Sequence, residues 1–238
     1  MRQLLKQIPG AAKMVRDARY LTMLARERWF TDRRIMNDNS HLLHEWDFGS
    51  LTNQDRYMRL LALVKNLKGT AHWGDVLEIG CSEGLFTALL AANCQTLTAC
   101  DISQVACERT AQSLSKCSNL RVKTMDLDFD PIVGSFDLVF AMDVLEFIHG
   151  RDRLARVGRK LAEALRPGGI LIVSACRLSQ ELRRCWWSWS FPEGADNIIE
   201  FLSSRFGLVL SHSENHSAPD DEAYIEHLLA VFGRPQLS

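Results

Sequence analysis

The chain has 238 residues, 47% of them hydrophobic and 24% charged, with a formal net charge of −1 at pH 7. This length predicts one well-cored domain with an extension, and the charge balance argues against a nucleic-acid-binding protein. The seven cysteines show no C-x-x-C and no paired Cys/His spacing, so we expect no metal site and a reduced, cytoplasmic protein. We find neither a secretory signal nor an apolar run of membrane-spanning length.

Residues 1–52 are predicted to form a basic helical extension and lid, and residues 53–238 the main domain. Within residues 1–35, nine Lys/Arg stand against three Asp/Glu, and the apolar residues recur at helical spacing. Such a segment either packs on the main domain as a solvated helix or lies on an anionic membrane surface as a peripheral contact. Packing on the main domain is the commoner arrangement, and the sequence leaves both open.

A strand, a glycine turn and a helix follow one another at residues 76–92. Residues 76–79 are apolar except for Glu78, Gly80 and Gly84 fall in the turn, and residues 85–92 are rich in helix formers. In an open parallel sheet this is a crossover whose turn lies at the carboxyl edge, where ligands bind. Gly80 can adopt positive φ and lets a ligand approach the backbone.

The spacing of this turn argues against a nicotinamide or flavin cofactor. A G-x-G-x-x-G fingerprint starting at Gly80 would need glycines where Ser82 and Leu85 stand. Asp101 ends the next strand about 20 residues later, where a carboxylate accepts both ribose hydroxyls of a nucleoside. The turn alone is also compatible with an ordinary strand-turn-helix of another α/β protein.

Strands and helices alternate through the rest of the chain. Strands are predicted at 76–79, 97–100, 120–125, 136–142, 170–175, 208–213 and 227–233, and helices at 53–67, 85–92, 103–115, 153–165 and 196–204. Residues 166–169 are predicted as the turn before the fifth strand. The pattern predicts an α/β protein with a Rossmann-like, doubly wound, mostly parallel seven-stranded sheet and an antiparallel C-terminal hairpin.

Four segments in this order resemble the class I S-adenosylmethionine-dependent methyltransferases: the turn Glu78-Gly80-Gly84, Asp101 with Ile102, Asp126-Leu127, and residues 136–146. Residues 77–87 and 100–103, and the segment ending in Arg56-Tyr57, resemble the nodulation protein S group. This resemblance covers roughly residues 44–175. It implies S-adenosylmethionine as the cofactor. It leaves the basic N-terminal segment and the tryptophan-rich insertion unexplained.

The resemblance also implies a set of cofactor-binding residues. Asp126 and Leu127 stand where this class binds adenine, and Arg56 and Tyr57 precede the first strand on a helix expected over the methionine end. The alternative for Arg56 and Tyr57 is a pair on the helix surface. The full set is Arg56, Tyr57, Glu78, Gly80, Cys81, Gly84, Asp101, Ile102, Asp126, Leu127 and Met142.

Two further segments are candidates for the acceptor site. Asp143, Glu146 and His149 follow the fourth strand, at the rim where an acceptor enters, and each is a candidate general base. The alternative there is a solvated turn or a helix cap. In the insertion at 177–193 the aromatic rings can either stack on a sugar or form a hydrophobic plug that packs against the basic N-terminal helix. Its candidate substrate-binding residues are Trp186, Trp187 and Trp189.

The predicted activity is methyl transfer to an amine or hydroxyl of a small molecule, with a saccharide or glycoconjugate as the expected partner. Members of the nodulation protein S group methylate the amino group of a chito-oligosaccharide. Two alternatives remain: an O- or N-methyltransferase of a lipid-linked or secondary metabolite, and a non-catalytic partner subunit. Cofactor motifs say little about the acceptor.

Overall fold

The computed structural model describes residues 51–69, 72–148, 150–177, 194–215 and 226–236. Its helices are α1 (Leu51–Lys68), α2 (Leu85–Ala91), α3 (Gln104–Ser113), α4 (Arg151–Ala164) and α5 (Gly194–Ser203). Its strands are β1 (Asp75–Ile79), β2 (Thr96–Asp101), β3 (Leu120–Thr124), β4 (Phe136–Met142), β5 (Leu165–Arg177), β6 (Val209–Asn215) and β7 (Glu226–Gly233). Residues 1–50, His149 and the insertion at 178–193 lie outside the described residues.

The seven strands form one sheet in the order β3-β2-β1-β4-β5-β7-β6. Neighbouring strands are parallel except β7, which runs antiparallel to both β5 and β6. The chain moves outward from β1 to β3 and then returns to place β4 beside β1. This reversal opens a crevice at the carboxyl ends of β1 and β4. The predicted fold class is confirmed.

Alternating side chains bury both faces of the sheet. Val76, Leu138 and Phe140 point to the face covered by α1 and α2. The intervening residues of the same strands, with Leu77 and Val139 among them, point to the face covered by α4 and α5. Because both faces are buried, the central strands are nearly continuous apolar runs, as parallel strands require.

The start of the fifth strand was predicted wrongly. β5 begins at Leu165, directly after α4, where Leu165 pairs with Phe136 before the register shifts and Leu138 pairs with Ile170. The predicted turn at 166–169 is therefore an irregularity within the strand. Gly168, at φ 78°, donates its N–H to the carbonyl of Arg234, and Gly169 accepts the N–H of Arg234. Backbone pairing with the C-terminal segment thus extends the strand through residues 166–169, which the sequence predicted as a helix terminator and turn.

The other predicted bounds differ from the structure by no more than two residues. Local chemistry explains one of them: α3 starts after Ser103, because the Ser103 hydroxyl accepts the amide of Ala106 and serves as the N-cap. No described helix combines the length and apolar composition needed to cross a bilayer.

Candidate active site

A crevice lies at the carboxyl edge of the sheet, between the turn after β1 and the end of β4. The described residues that line it are Tyr57, Glu78, Gly80, Cys81, Ser82, Glu83, Leu85, Phe86, Met142 and Asp143. Five of these, Tyr57, Glu78, Gly80, Cys81 and Met142, belong to the predicted cofactor set. The fold thus brings together residues from α1, β1 and β4 that are distant in the sequence.

The glycine turn has the backbone that its sequence predicts. Gly80 has φ 83° and Gly84 φ 82°, and Ser82 between them also has positive φ, 45°. The amides of Gly80 and Cys81 both donate to the carbonyl of Cys100, at 2.7 and 3.0 Å, which ties the turn to β2. A Cβ on Gly80 would lie 2.4 Å from Val144 Cγ2, so the turn and the segment after β4 touch through this glycine.

Asp101 ends β2 beside this turn, and its carboxylate is oriented by the backbone. The amide of Ser82 donates to Oδ2 at 3.0 Å, and the amide of Ser103 donates to Oδ1 at 2.9 Å. Burial raises the pKa of Asp101 despite these hydrogen bonds. A carboxylate has about four lone-pair sites, so Asp101 can still accept a hydroxyl group. Ile102 beside it is half-buried.

Glu78 lies in the floor of the crevice and is 2% exposed. Its Oε2 is buried and has no hydrogen-bond partner within the described part of the chain. Burial raises the pKa of Glu78 to about 8. An unsatisfied carboxyl oxygen in a crevice wall suits a ligand that brings a cationic donor.

Asp126 and Leu127 lie in the turn after β3. Asp126 Oδ1 accepts the amide of Asp128 at 3.0 Å, and the carbonyl of Asp126 accepts the amide of Asp130 at 2.7 Å. One carboxylate oxygen of Asp126 therefore caps its own turn, and Leu127 is 6% exposed. The role of this pair in binding adenine stays a prediction.

Helix α1 reaches the same edge through Arg56 and Tyr57. The ring of Tyr57 stacks on Phe86, with centroids 4.9 Å apart. Arg56 is 4% exposed, so the alternative of a surface pair is wrong. Its guanidinium donates to Asp143 Oδ2 at 2.8 Å and to the Ser174 hydroxyl at 3.0 Å, and its Nη1 to Asn53 at 3.0 Å. It thus contacts Asp143, although the sequence placed it at the cofactor carboxylate.

Asp143 follows β4 with φ 53°, a backbone conformation that non-glycine residues seldom adopt. Burial alone would raise the pKa of Asp143, but Arg56, His227 and the Ser174 hydroxyl outweigh it and hold that pKa well below its usual range. Asp143 is therefore ionised at neutral pH. Ser174 Oγ donates to its Oδ1 at 2.7 Å.

Glu146 lies on a short 3₁₀ turn, Leu145–Phe147, and is 2% exposed. The amide of Cys176 donates to its Oε1 at 3.4 Å, and its Oε2 has no hydrogen-bond partner among the described residues. Burial, followed by the negative charge of Asp143, raises the pKa of Glu146 to about 8. Glu146 is therefore not part of a solvated turn, whereas Asp143 keeps 27% of its side chain exposed. His149 and the three tryptophans fall outside the described residues, so their roles stay predictions.

The sequence patterns did not identify two residues of this site, Ser174 and His227. Ser174 is a polar interruption of the apolar strand β5, which is a usable signal. His227, whose Nε2 lies 3.9 Å from Asp143 Oδ1, comes from β7 and has no such signal. It is placed there only by the pairing of β7 with β5, which sets it opposite Cys176.

These features fit S-adenosylmethionine. The Asp101 carboxylate suits ribose hydroxyls, the unsatisfied Glu78 oxygen suits an ammonium group, and the turn at Gly80 presents backbone without a Cβ. No group of three or more potential metal ligands occurs in the described ranges.

Known proteins agree with this interpretation. The family model "Nodulation protein S (NodS)" matches residues 34–234. Nodulation protein S of Bradyrhizobium diazoefficiens is 28% identical over 186 residues, which cover 78% of this chain and 83% of that protein. A ubiquinone biosynthesis O-methyltransferase of Rickettsia canadensis is 24% identical over 155 residues, 60% of this chain and 63% of that protein.

A solved structure gives the same result. The crystal structure of N-methyltransferase NodS from Bradyrhizobium japonicum WM9, in complex with S-adenosyl-L-homocysteine, superposes with a TM-score of 0.66 at 26% identity. The match covers 77% of this chain and 88% of that one. The chain belongs to the nodulation protein S (NodS) family and is an S-adenosylmethionine-dependent methyltransferase.

Proposed function

We propose that this enzyme methylates an amine of a saccharide or glycoconjugate. The observation that carries the proposal is the Asp143 carboxylate, which Arg56 and Ser174 hold as an anion in the wall of the crevice. A partly exposed anion beside the cofactor turn attracts an ammonium group and holds its nitrogen near the site. A hydroxyl acceptor would gain less from this charge. The related NodS from Bradyrhizobium japonicum is an N-methyltransferase.

The protein contributes mainly position and electrostatics to this reaction. S-adenosylmethionine supplies an already electrophilic methyl group when it is bound. Asp101 and Glu78 would hold the nucleoside and amino-acid ends, and Tyr57 and Phe86 form a stacked aromatic wall of the crevice. Holding an acceptor nitrogen in line can supply much of the rate enhancement. An amine that arrives as ammonium must also lose a proton first.

Several residues of this assignment rest on the family resemblance. We assign Arg56, Tyr57, Glu78, Gly80, Cys81, Gly84, Asp101, Ile102, Asp126, Leu127 and Met142 to the cofactor, Asp143, Glu146 and His149 to the acceptor, and Trp186, Trp187 and Trp189 to the saccharide. Within the described residues Asp143 lines the crevice, whereas Glu146 is buried near it, so we assign direct contact with the acceptor to Asp143.

A transfer assay with labelled S-adenosylmethionine tests the proposal. The acceptors are a chito-oligosaccharide with one free amino group, its fully N-acetylated counterpart, and a catechol. We expect label only on the free amine, and a loss of at least about tenfold in kcat/KM for Asp143→Asn, because a charged hydrogen bond is worth about 1.5–3 kcal/mol. Glu163→Gln, which changes an exposed carboxylate near the end of α4, is the matched control. Equal labelling of the N-acetylated sugar would refute the amine assignment.

A second candidate is methylation of a phenolic hydroxyl. The similarity to a ubiquinone biosynthesis O-methyltransferase favours it, as do two exposed apolar side chains, Leu85 in the crevice wall and Met58 on α1. Label on the catechol and none on either sugar would select this function.

We also propose a peripheral membrane contact through residues 1–35, on the basis of their excess of positive charge. Flotation with liposomes of anionic lipid, compared for the full chain and a chain lacking residues 1–35, tests it. We expect only the full chain to float, and equal behaviour of the two would dismiss the contact.

A further inference from the structure

We propose that Thr110 on α3 is a positioning residue for the cofactor: its hydroxyl holds the backbone of Ser82, so that the glycine turn keeps the Asp101 carboxylate in its binding orientation. The inference rests on the proposed assignment of Asp101 and this turn to the cofactor. It adds a residue that neither the sequence patterns nor the resemblance indicated. Thr110 is fully buried and is not among the described residues that line the crevice.

One face of α3 packs against the turn between β1 and α2. Cys107 and Thr110 stand three residues apart on this helix, so their side chains share a face, and both are buried. Cys107 packs with Cys81 in one core cluster, and the Thr110 hydroxyl donates to the carbonyl of Ser82 at 2.7 Å. Helix α3 thus supports two consecutive residues of the turn.

The next two residues of the turn also lie against α3. Arg109 forms an ion pair with Glu83, with Nη1 2.8 Å from Oε1, and a Cβ on Gly84 would lie 2.9 Å from Thr110 Cγ2. The ion pair is partly exposed, so it stabilises the turn little. We therefore assign the positioning role to Thr110.

Ser82 has a backbone conformation that needs support from its surroundings. Its φ of 45° lies in the left-handed region, which non-glycine residues seldom adopt. The peptide before Ser82 is fixed by the amide of Ser82, which donates to Asp101 Oδ2 at 3.0 Å. The peptide after it is fixed by the carbonyl of Ser82, which accepts the Thr110 hydroxyl. These two hydrogen bonds hold Ser82 at positive φ, as an uncommon backbone conformation requires.

The link to the cofactor passes through Asp101. One of its carboxylate oxygens is oriented by the amide of Ser82 and the other by the amide of Ser103. Without the Thr110 hydroxyl, Ser82 can leave positive φ, and its amide turns away from Asp101. The carboxylate then has to be reoriented when the ribose binds, which weakens the binding of the cofactor. The transfer step beside Asp143 is not affected.

Calorimetry with S-adenosyl-L-homocysteine tests the role of the hydroxyl. Thr110→Val keeps the branched shape and removes the hydroxyl, whereas Thr110→Ser keeps the hydroxyl and removes the methyl group. We expect Thr110→Val to weaken binding about 5- to 10-fold, the effect of losing one hydrogen bond, and Thr110→Ser to stay within about twofold of wild type. Thr96→Val is the matched control, because Thr96 donates to Asp75 at the amino ends of β1 and β2.

Two further measurements separate positioning from stability. The KM for S-adenosylmethionine should rise in Thr110→Val by the same factor as the dissociation constant, with kcat at saturating cofactor within about twofold of wild type. In the Asp101→Asn background, Thr110→Val should weaken binding by less than about twofold, because the carboxylate that Thr110 positions is gone. If Thr110→Val fails to fold, the comparison of Thr110→Ala with Thr110→Ser isolates the hydroxyl.

Three results would overturn the proposal: wild-type affinity in Thr110→Val, equal losses in Thr110→Val and Thr110→Ser, or an undiminished loss in the Asp101→Asn background. Wild-type affinity in Asp101→Asn alone would instead refute the assignment of Asp101 to the cofactor. The comparison of Thr110→Val with Thr110→Ser would still decide whether the hydroxyl orders the turn.

Discussion

Asp101 is fixed before it meets a ligand, because two backbone amides each hold one of its carboxylate oxygens. Its geometry thus depends on the turn at Ser82 and on the start of α3 at Ser103. The residue that the sequence predicted for ribose recognition is preorganised by the same two segments that carry the family motifs. This makes its contribution to affinity measurable by a single substitution.

Asp101→Asn should weaken binding of S-adenosyl-L-homocysteine by about 10- to 100-fold, since each hydrogen bond to a charged group contributes about 1.5–3 kcal/mol. The new amide group also faces an N–H donor of Ser82 or Ser103. Isothermal titration calorimetry measures the effect. Asp152→Asn, exposed in the first turn of α4, is the control. An affinity for S-adenosyl-L-homocysteine within twofold of wild type would show that Asp101 does not bind the ribose hydroxyls.

Gly80→Ala should lower the melting temperature and abolish cofactor binding. The added methyl would meet Val144 Cγ2 at 2.4 Å in addition to the strain of φ 83°. Gly207→Ala is the matched control, because Gly207 also has positive φ, 67°, with no atom within 4 Å of the added methyl. Strain alone costs about 1–2 kcal/mol. Equal melting temperatures in the two variants would disprove the steric role of Gly80.

At the scale of elements, ion pairs and hydrogen bonds connect the turn after β3 to α4. Asp128 is 5% exposed and forms ion pairs with Arg153 and Arg156, and the Lys160 ammonium donates to the carbonyls of Leu127 and Asp128. One helix thereby sets the position of the predicted adenine-binding turn. Removing one partner of a buried ion pair destabilises the fold, because the other charge is left buried and uncompensated.

Asp128→Asn should lower the free energy of unfolding by about 1–3 kcal/mol, less than for a fully buried pair because Arg156 is half exposed. Urea denaturation measures it. Asp196→Asn, which breaks the exposed pair with Arg177, should cost about 0–1 kcal/mol. Losses of equal size would mean that the Asp128 cluster adds no more than a surface ion pair.

Helix α1 is joined to the proposed acceptor residue Asp143 by Arg56, and to the sheet by apolar packing. Leu60, Leu61 and Val64 bury its inner face, and Arg56 at one end carries the buried charge that keeps Asp143 ionised. The helix that was expected over the methionine end of the cofactor therefore also keeps Asp143 ionised.

At the scale of the whole molecule, the two buried carboxyl groups of Glu78 and Glu146 predict how stability depends on pH. Both have their pKa raised to about 8, so between their ordinary value of 4.5 and pH 8 the folded state binds protons that the unfolded state has lost. The free energy of unfolding therefore falls as pH rises through this window. Asp143 does not oppose this, because its stabilisation is complete above its ordinary pKa and is lost only at lower pH.

Urea unfolding at pH 5 and pH 7.5 should show lower stability at pH 7.5, and Glu78→Gln should reduce that difference by up to about 1.4 kcal/mol per pH unit. Glu200→Gln, exposed on α5, should leave it unchanged. A difference that Glu78→Gln does not alter would mean that Glu78 is ionised in the folded state.

The amino-acid sequence alone determined the local features of this enzyme. The apolar runs specify strands, Gly80 and Gly84 specify the turn, and Asp101 follows its strand. Each is readable because its signal lies within a few neighbouring residues. The start of β5 could not be read, because pairing with the distant Arg234 segment overrides the Pro-Gly-Gly signal.

Only the tertiary structure decided the contacts around Asp143. Arg56 and Asp143 are 87 residues apart, and His227 reaches Asp143 through the register of β7 on β5. Nothing local in the sequence encodes such contacts, because they arise from strand order and from the face on which each side chain falls. The sequence thus specified the cofactor and the fold, whereas long-range packing determines the charge of Asp143.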